Sequence, residues 1–339
     1  MKKSFSSYLK DYMMLLVLVA VIVMFAILTP ILMPNRNFLD PQNLLNILGQ
    51  NAYLVILGIG ITFIMLGGGM DLSTGYLIST VGVAMAIIDL STNFVVSLIC
   101  GILLAVLISA FNGAVYAWLK VFPFIITLAT QYILNGATYL LSGGMTATYR
   151  NLSDGYKILG GAFIDLGFGK LKSGVIVMII MVLIGSFILN KTYLGRNIYA
   201  LGSNPDAVAL SGVSVAKMRI IVFALAGFFF GVAQVVNIGA TGSMNNSMGV
   251  GAEFKVMAGA MLGGVKMGGG GGKMSNMVIG VLIIGVLNSG MNFLNMNIYW
   301  QNVALGIVLL AAVIVDTMQT NAAINRAKKV SGHAPASNG

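Results

Sequence analysis

Two acidic residues in this chain stand where a carboxylate is expensive. Asp71, in GGGMDLSTG (67–75), and Glu253, in MGVGAEFK (248–255), each sit at the margin of an apolar run. An ionisable group at lipid depth defaults to an ion or substrate pathway. Both acids also admit a structural reading, because Asp71-Leu-Ser-Thr is able to cap the helix that follows it. Glu253 carries the same pair of readings. Neither has a histidine or second acid close in sequence, as a proton relay would need. A third candidate is GGVKMGGGGGKMS (263–275), which invites comparison with a nucleotide-binding loop. That motif needs Gly-x-x-x-x-Gly-Lys-Ser/Thr, so that backbone amides cradle phosphates and the hydroxyl holds Mg²⁺. Here Met267 falls on the first glycine, Met274 replaces the hydroxyl residue, and no strand precedes the run. It reads as a tight turn between two spans, and the chain is not expected to be an enzyme that hydrolyses ATP.

The elements that must position these residues are membrane helices. Of 339 residues, 58% are hydrophobic and only 8% charged, and the mean hydropathy is +0.94. Roughly a quarter of an average soluble chain is charged, so this composition implies an integral membrane protein. The net charge of +10 fits basic residues flanking apolar spans. No basic stripe interleaved with stacking aromatics accompanies it, which argues against nucleic acid. The single cysteine, Cys100, lies inside an apolar run and permits no intrachain disulfide. The only histidine, His333, lies in the polar tail SGHAPASNG.

A span needs about twenty apolar residues, and about ten segments approach that measure. They are Met13–Met33, Asn51–Leu66, Thr74–Ile88, Phe94–Leu119, Phe122–Leu141, Gly174–Leu189, Ile220–Ala240, Phe254–Leu262, Met277–Leu294 and Asn302–Val315. Those beside Gly67–Gly69 and Gly249–Gly251 are expected to be broken or re-entrant, which is tolerable only within protein or along a cavity. The fold class is therefore all-α, with residues 1–316 in the membrane and 317–339 a disordered cytoplasmic tail. The N-terminal apolar run is too long for a signal peptide and lacks a cleavage site, so it is expected to be an uncleaved first span. With both termini in the cytoplasm, thirteen of the nineteen Lys and Arg residues fall inside, which satisfies the positive-inside bias.

This orientation puts the polar island Lys191–Arg219 on the cytoplasmic face. Within it Asn204 is placed to be an N-cap, Pro205 the first helical residue, Asp206 an acid in the first turn, and Gly212 the terminator. A capped helix displayed on the water side is a docking surface. The longest external stretch, Ser142–Ser173, is either a lid or a receiver for an outside partner. NGAVYAWLKVFPF from Asn112 and NSGMNFLNMNIYW from Asn288 share a loose pattern and fall on opposite sides of the membrane. Such an inverted repeat would suit alternating access.

Several stretches resemble one family, the inner-membrane permease subunits of bacterial ABC importers for ribose, galactose, xylose and related monosaccharides. They are GGGMDLSTG, FPFIITLAT (122–130), GRNIYALGSNPDAVALSGV (195–213), GAEFKVMAGAMLGGVKMGGGGG (251–272) and NIYWQNVALGIVLLAAVIVD (297–316). Two departures stand out: Asp206-Ala207-Val208 where the family has Glu-Ala-Ala, and Lys255–Gly259 in place of an alanine-rich run. The resemblance implies a ten-span permease paired with a second copy, identical or not. It also implies cytoplasmic ATPase subunits that carry ATP and Mg²⁺, and a periplasmic or lipid-anchored sugar-binding protein. The chain itself would bind no cofactor. Gly202, Ser203, Asn204, Pro205, Asp206, Ala207, Leu210, Ser211 and Gly212 would form the ATPase-coupling helix. Asp71, Phe122, Phe124, Thr127, Asn245 and Glu253 are the substrate-pathway candidates. Cargo other than a monosaccharide (a polyol, a signalling furanose or a nucleoside), an ion-coupled transporter and a non-transporting scaffold stay open as alternatives.

Overall fold

The computed structural model describes residues 5–119 and 121–331. Among the described residues thirteen α-helices occur, in the order α1 (Phe5–Leu32), α2 (Pro41–Leu66), α3 (Thr74–Ser91), α4 (Phe94–Leu119), α5 (Pro123–Leu141), α6 (Asp154–Tyr156), α7 (Gly174–Lys191), α8 (Tyr193–Ser203), α9 (Pro205–Leu210), α10 (Val215–Thr241), α11 (Ala252–Leu262), α12 (Met274–Phe293) and α13 (Ile298–Ser331). Short strands β1 (Thr148–Tyr149), β2 (Phe163–Asp165), β3 (Lys170–Lys172) and β4 (Met244–Asn245) lie in the connections. Among the described residues nine helices are long and apolar enough to cross a membrane. α11 is the tenth membrane segment. Its eleven residues rise only about 16 Å, roughly half the hydrocarbon thickness.

Helix ends differ from expectation where polar first turns extend beyond the lipid. α2 begins at Pro41 rather than Asn51, because Asp40 caps it by accepting from the Asn43 amide at 3.3 Å. α10 begins at Val215, capped by the Ser214 hydroxyl. The turn at Gly67–Gly69 is not a break: α2 runs unbroken to Leu66, and α3 is itself span-length. Gly249–Gly251 does open the half-length segment. From β4 the chain descends alongside α3, and the Gly249 amide donates to Ser79 Oγ at 2.9 Å in the first turns of that helix. α13 is helical as far as Ser331. His333 lies outside the described residues.

Burial sorts the spans into two groups. The most apolar stretches of α2, α3, α10 and α12 are 83%, 67%, 67% and 56% buried, whereas those of α1 and α13 are 11% buried. Lipid is as apolar as leucine, so helices associate through close van der Waals fit. Gly227 and Gly231 on α10 let the α4 backbone at Ile102–Val106 approach, and Gly259 and Gly280 do the same between α11 and α12. The packing partners repeat. α3 packs on α4, α5 and α10; α11 packs on α12, α13 and α2; α4 packs on α10 and α12 on α2. Exchanging α2–α5 with α10–α13 maps each of these contacts onto another, which makes α4, carrying Asn112, the counterpart of α12, carrying Asn288.

The external connection is a built cap. β1 pairs with β4 (Thr148 opposite Asn245), and β2 pairs with β3. Tyr156 anchors it. Ser97 Oγ gives its proton to the Met85 carbonyl at 2.6 Å, so the Tyr156 hydroxyl donates to Ser97 Oγ at 2.6 Å. The Tyr156 ring meets Phe94 edge-on at 5.0 Å. Asp89 Oδ2 accepts from the Ser153 amide at 2.8 Å.

Candidate functional site

Asp71 terminates a directed chain of hydrogen bonds linking α3, α4 and α5. Thr130 Oγ1 donates to Asn112 Oδ1 (2.7 Å), Asn112 Nδ2 to Ser73 Oγ (3.0 Å), and Ser73 Oγ to Asp71 Oδ1 (2.5 Å). The Ser73 amide also donates to Asp71 Oδ1, at 2.8 Å. Each donor is used once and the chain ends on a carboxylate, the strongest acceptor available. Thr127 joins from α5 by accepting from the Leu72 amide at 3.1 Å. Asp71, Ser73, Asn112 and Thr127 are buried, as is Thr130. Asp71 thus orders the start of α3 from two residues before the cap position. Its Oδ2 has no partner.

Glu253 lies in the first turn of α11, two residues after the Gly251 cap position, and it too is buried with one unpartnered oxygen, Oε2. Its carboxylate lies against Gly75, where a methyl group would overlap it. This is a close approach that only glycine permits.

The remaining pathway candidates do not join these acids. Phe122 and Phe124 are exposed, by 81% and 43%, at the α4–α5 turn. Asn245 sits in β4 on the external side, where its Oδ1 accepts from the Ser247 amide at 3.1 Å. The buried asparagine is its neighbour, Asn246. Asn246 accepts from the Ala147 amide at 2.8 Å and donates to Ser142 Oγ, which ties α5 to the cap. Sequence reasoning missed Ser73, Thr130, Asp89 and Asn246, since nothing in a single chain distinguishes a buried hydroxyl or amide from an exposed one. Beside the cap lies a cavity of about 410 Å³, whose polar wall includes Asn151, Asp154, Lys157, Lys172 and Thr241. Burial lowers the Lys172 amine from its usual value, and its Nζ donates to the Ala240 carbonyl at 2.8 Å.

On the opposite face the island folds as two helices. α8, a helix the sequence reading did not assign, takes in Gly202 and Ser203, which were expected to belong to the coupling helix; it is capped by Thr192, accepting from the Gly195 amide at 3.2 Å, and buries Ile198 and Leu201. α9 follows at once. Asn204 Oδ1 accepts from the Ala207 amide at 3.0 Å, Pro205 is the first helical residue, and Asp206 lies in the first turn. At its end the Gly212 amide bonds the Ala209 carbonyl and the Val213 amide bonds the Val208 carbonyl. Gly212 itself is left-handed, at φ 82°. Together these form a Schellman closure. Val208 anchors α9 to the body, while Leu210 is 90% exposed.

Residues 43–313 match the family described as "Branched-chain amino acid transport system / permease component". The chain belongs to that permease family. The ribose import permease of Escherichia coli K12 is 33% identical over 303 residues, covering 88% of this chain and 92% of its own. The galactose/methyl galactoside import permease of the same strain is 31% identical over 337 residues, with 94% and 97% covered. Its D-allose transport system permease is 32% identical over 317 residues, with 93% and 94% covered. No solved structure matches the chain. The permease is a multi-pass inner-membrane subunit of an ABC importer and is not itself a catalyst; ATP hydrolysis resides in partner subunits.

Proposed function

We propose that this permease carries a monosaccharide across the inner membrane, driven through α9 by cytoplasmic ATPase subunits. A leucine held 90% out of the protein at the end of a doubly capped helix is the observation that carries the reading. An exposed apolar residue on a rigid element is what a cleft in another protein would take up. Three relatives that import ribose, galactosides and allose point to a monosaccharide cargo. The partners would be a second permease copy, the ATPase pair and an external sugar-binding protein that docks over the cap. ATP-driven closure of the ATPases would shift the population between outward- and inward-open states.

Asp206 and Leu210 are both exposed, so substituting either should change stability by no more than about 0.5 kcal/mol. Asp206→Lys should therefore leave the permease in the membrane while abolishing sugar uptake and co-purification of the ATPase. Uptake at the wild-type rate in Asp206→Lys vesicles would count against α9 as the coupling element. Uptake driven by an ion gradient in vesicles without ATPase subunits would overturn the importer reading altogether.

A further inference from the structure

The glycine-rich run 263–275 fails as a nucleotide loop, and its position gives it another use. Three segments meet beneath α2 chiefly through their backbones, with the Ser203 hydroxyl the one side chain set against Gly270. The Gly270 amide donates to the Leu66 carbonyl at 2.9 Å, at the last residue of α2. A methyl group on Gly202, near the end of α8, would overlap both that carbonyl and the Gly270 nitrogen. A methyl group on Gly269 would lie 2.8 Å from the Gly202 Cα and 2.9 Å from the Gly68 Cα. Tyr199 of α8 closes the group, its hydroxyl donating to the Gly272 carbonyl at 2.9 Å.

We propose that this backbone junction of Gly68, Gly202 and Gly269–Gly270 is the joint through which movement of α8–α9 reaches the transmembrane helices, with Gly202 and Tyr199 as its positioning residues. The inference rests on α9 being the element the ATPases grip. Side chains in contact can change rotamer and absorb a small displacement, whereas backbone against backbone has no such slack. A shift of the docking helices is therefore passed on as a shift of the α2–α3 turn, which leads to Asp71, and of the α11–α12 turn. The first of these turns belongs to α2–α5 and the second to α10–α13, so one joint addresses both halves of the repeated packing. At its other end α8 is seated equally tightly, for a methyl group on Gly195 would overlap the carbonyls of Ile188 and Leu189 on α7.

The test uses the full complex in proteoliposomes, with the binding protein saturated with ribose, galactose or allose, whichever stimulates the wild type. Two readouts are taken: co-purification of the ATPase and stimulation of ATP hydrolysis by the loaded binding protein. Gly202→Ala should keep the ATPase bound and lower the stimulation about tenfold, the scale of an ordinary allosteric coupling. Tyr199→Phe, which alters no packing volume, should lower it about threefold, the worth of one hydrogen bond. Gly268→Ala, in the same turn but with open space around it, should behave as wild type. Should Gly202→Ala fail to assemble, Tyr199→Phe alone decides the matter. Wild-type stimulation in Tyr199→Phe, with or without the same result in Gly202→Ala, overturns the joint. If Asp206→Lys also retains its ATPase and uptake, the coupling assignment of α9 has failed instead.

Discussion

The buried hydrogen-bond chain that ends on Asp71 makes each of its members matter differently. Asn112 both donates and accepts, so Asn112→Ala strands the Thr130 hydroxyl and removes a donor from Ser73. Hydrogen bonds between membrane helices are worth less than the cost of an orphaned polar group suggests, so about 1–2 kcal/mol is the expected loss. A thermal unfolding scan in detergent should show it as a lowered midpoint. Asp71 acts through Oδ1 as an acceptor from the Ser73 amide and hydroxyl. Asp71→Asn keeps an oxygen in that place and should preserve expression and uptake, whereas Asp71→Ala should lose both. Loss of uptake in a well-folded Asp71→Asn protein would instead mark the charge as part of the translocation route. The sequence made Asp71 and Glu253 conspicuous because acids are rare in such a chain. It could not set Asn246 apart from Asn245, since which of two adjacent amides turns inward depends on the pairing of β4 with β1.

Among the elements, the external cap and the α8–α9 pair differ in how far local residues dictate them. Every boundary of α9 was written in its own residues, with Asn204-Pro205 opening it and Gly212 closing it. That is why its limits were legible without any tertiary information. The cap is assembled from partners far apart in the chain, such as Asp89 with Ser153 and Ser97 with Tyr156, so its order was not legible. Tyr156 supplies a pH test of that assembly. Burial raises its hydroxyl from 10.0 to about 12, so between these values the unfolded chain ionises while the folded cap does not. The unfolded state then binds fewer protons, and stability contributed by the cap falls as pH rises from about 10 to about 12. Tyr156→Phe should flatten that slope. It should also loosen the cap, read as faster proteolysis within residues 142–173. An unchanged alkaline slope in the variant would show that the anchor lies elsewhere.

For the molecule as a whole, the expected count and order of membrane segments agreed with the structure because hydropathy is additive along a chain. Two features escaped that arithmetic: α2 has no interruption at Gly67–Gly69, and the final helix continues to Ser331. Composition alone cannot tell a glycine that ends a helix from one that lets two backbones touch. Orientation can be checked in a Cys100→Ser background. Phe163→Cys in the cap should react with an impermeant maleimide on intact cells. Leu210→Cys should react only after permeabilisation, in cells lacking the ATPase. Labelling of Leu210→Cys from outside would invert the topology and with it the docking assignment.

The division between deeply enclosed and peripheral helices carries one more consequence. Along the apolar stretches of α1 and α13 few side chains are buried in their own molecule, so one greasy residue there should serve nearly as well as another. The α2 and α10 pair allows no such freedom, because their glycines and branched residues set distances between main chains. A saturation library should therefore come back as a tolerant sleeve around an intolerant axle, with the boundary following contact geometry and ignoring hydrophobicity.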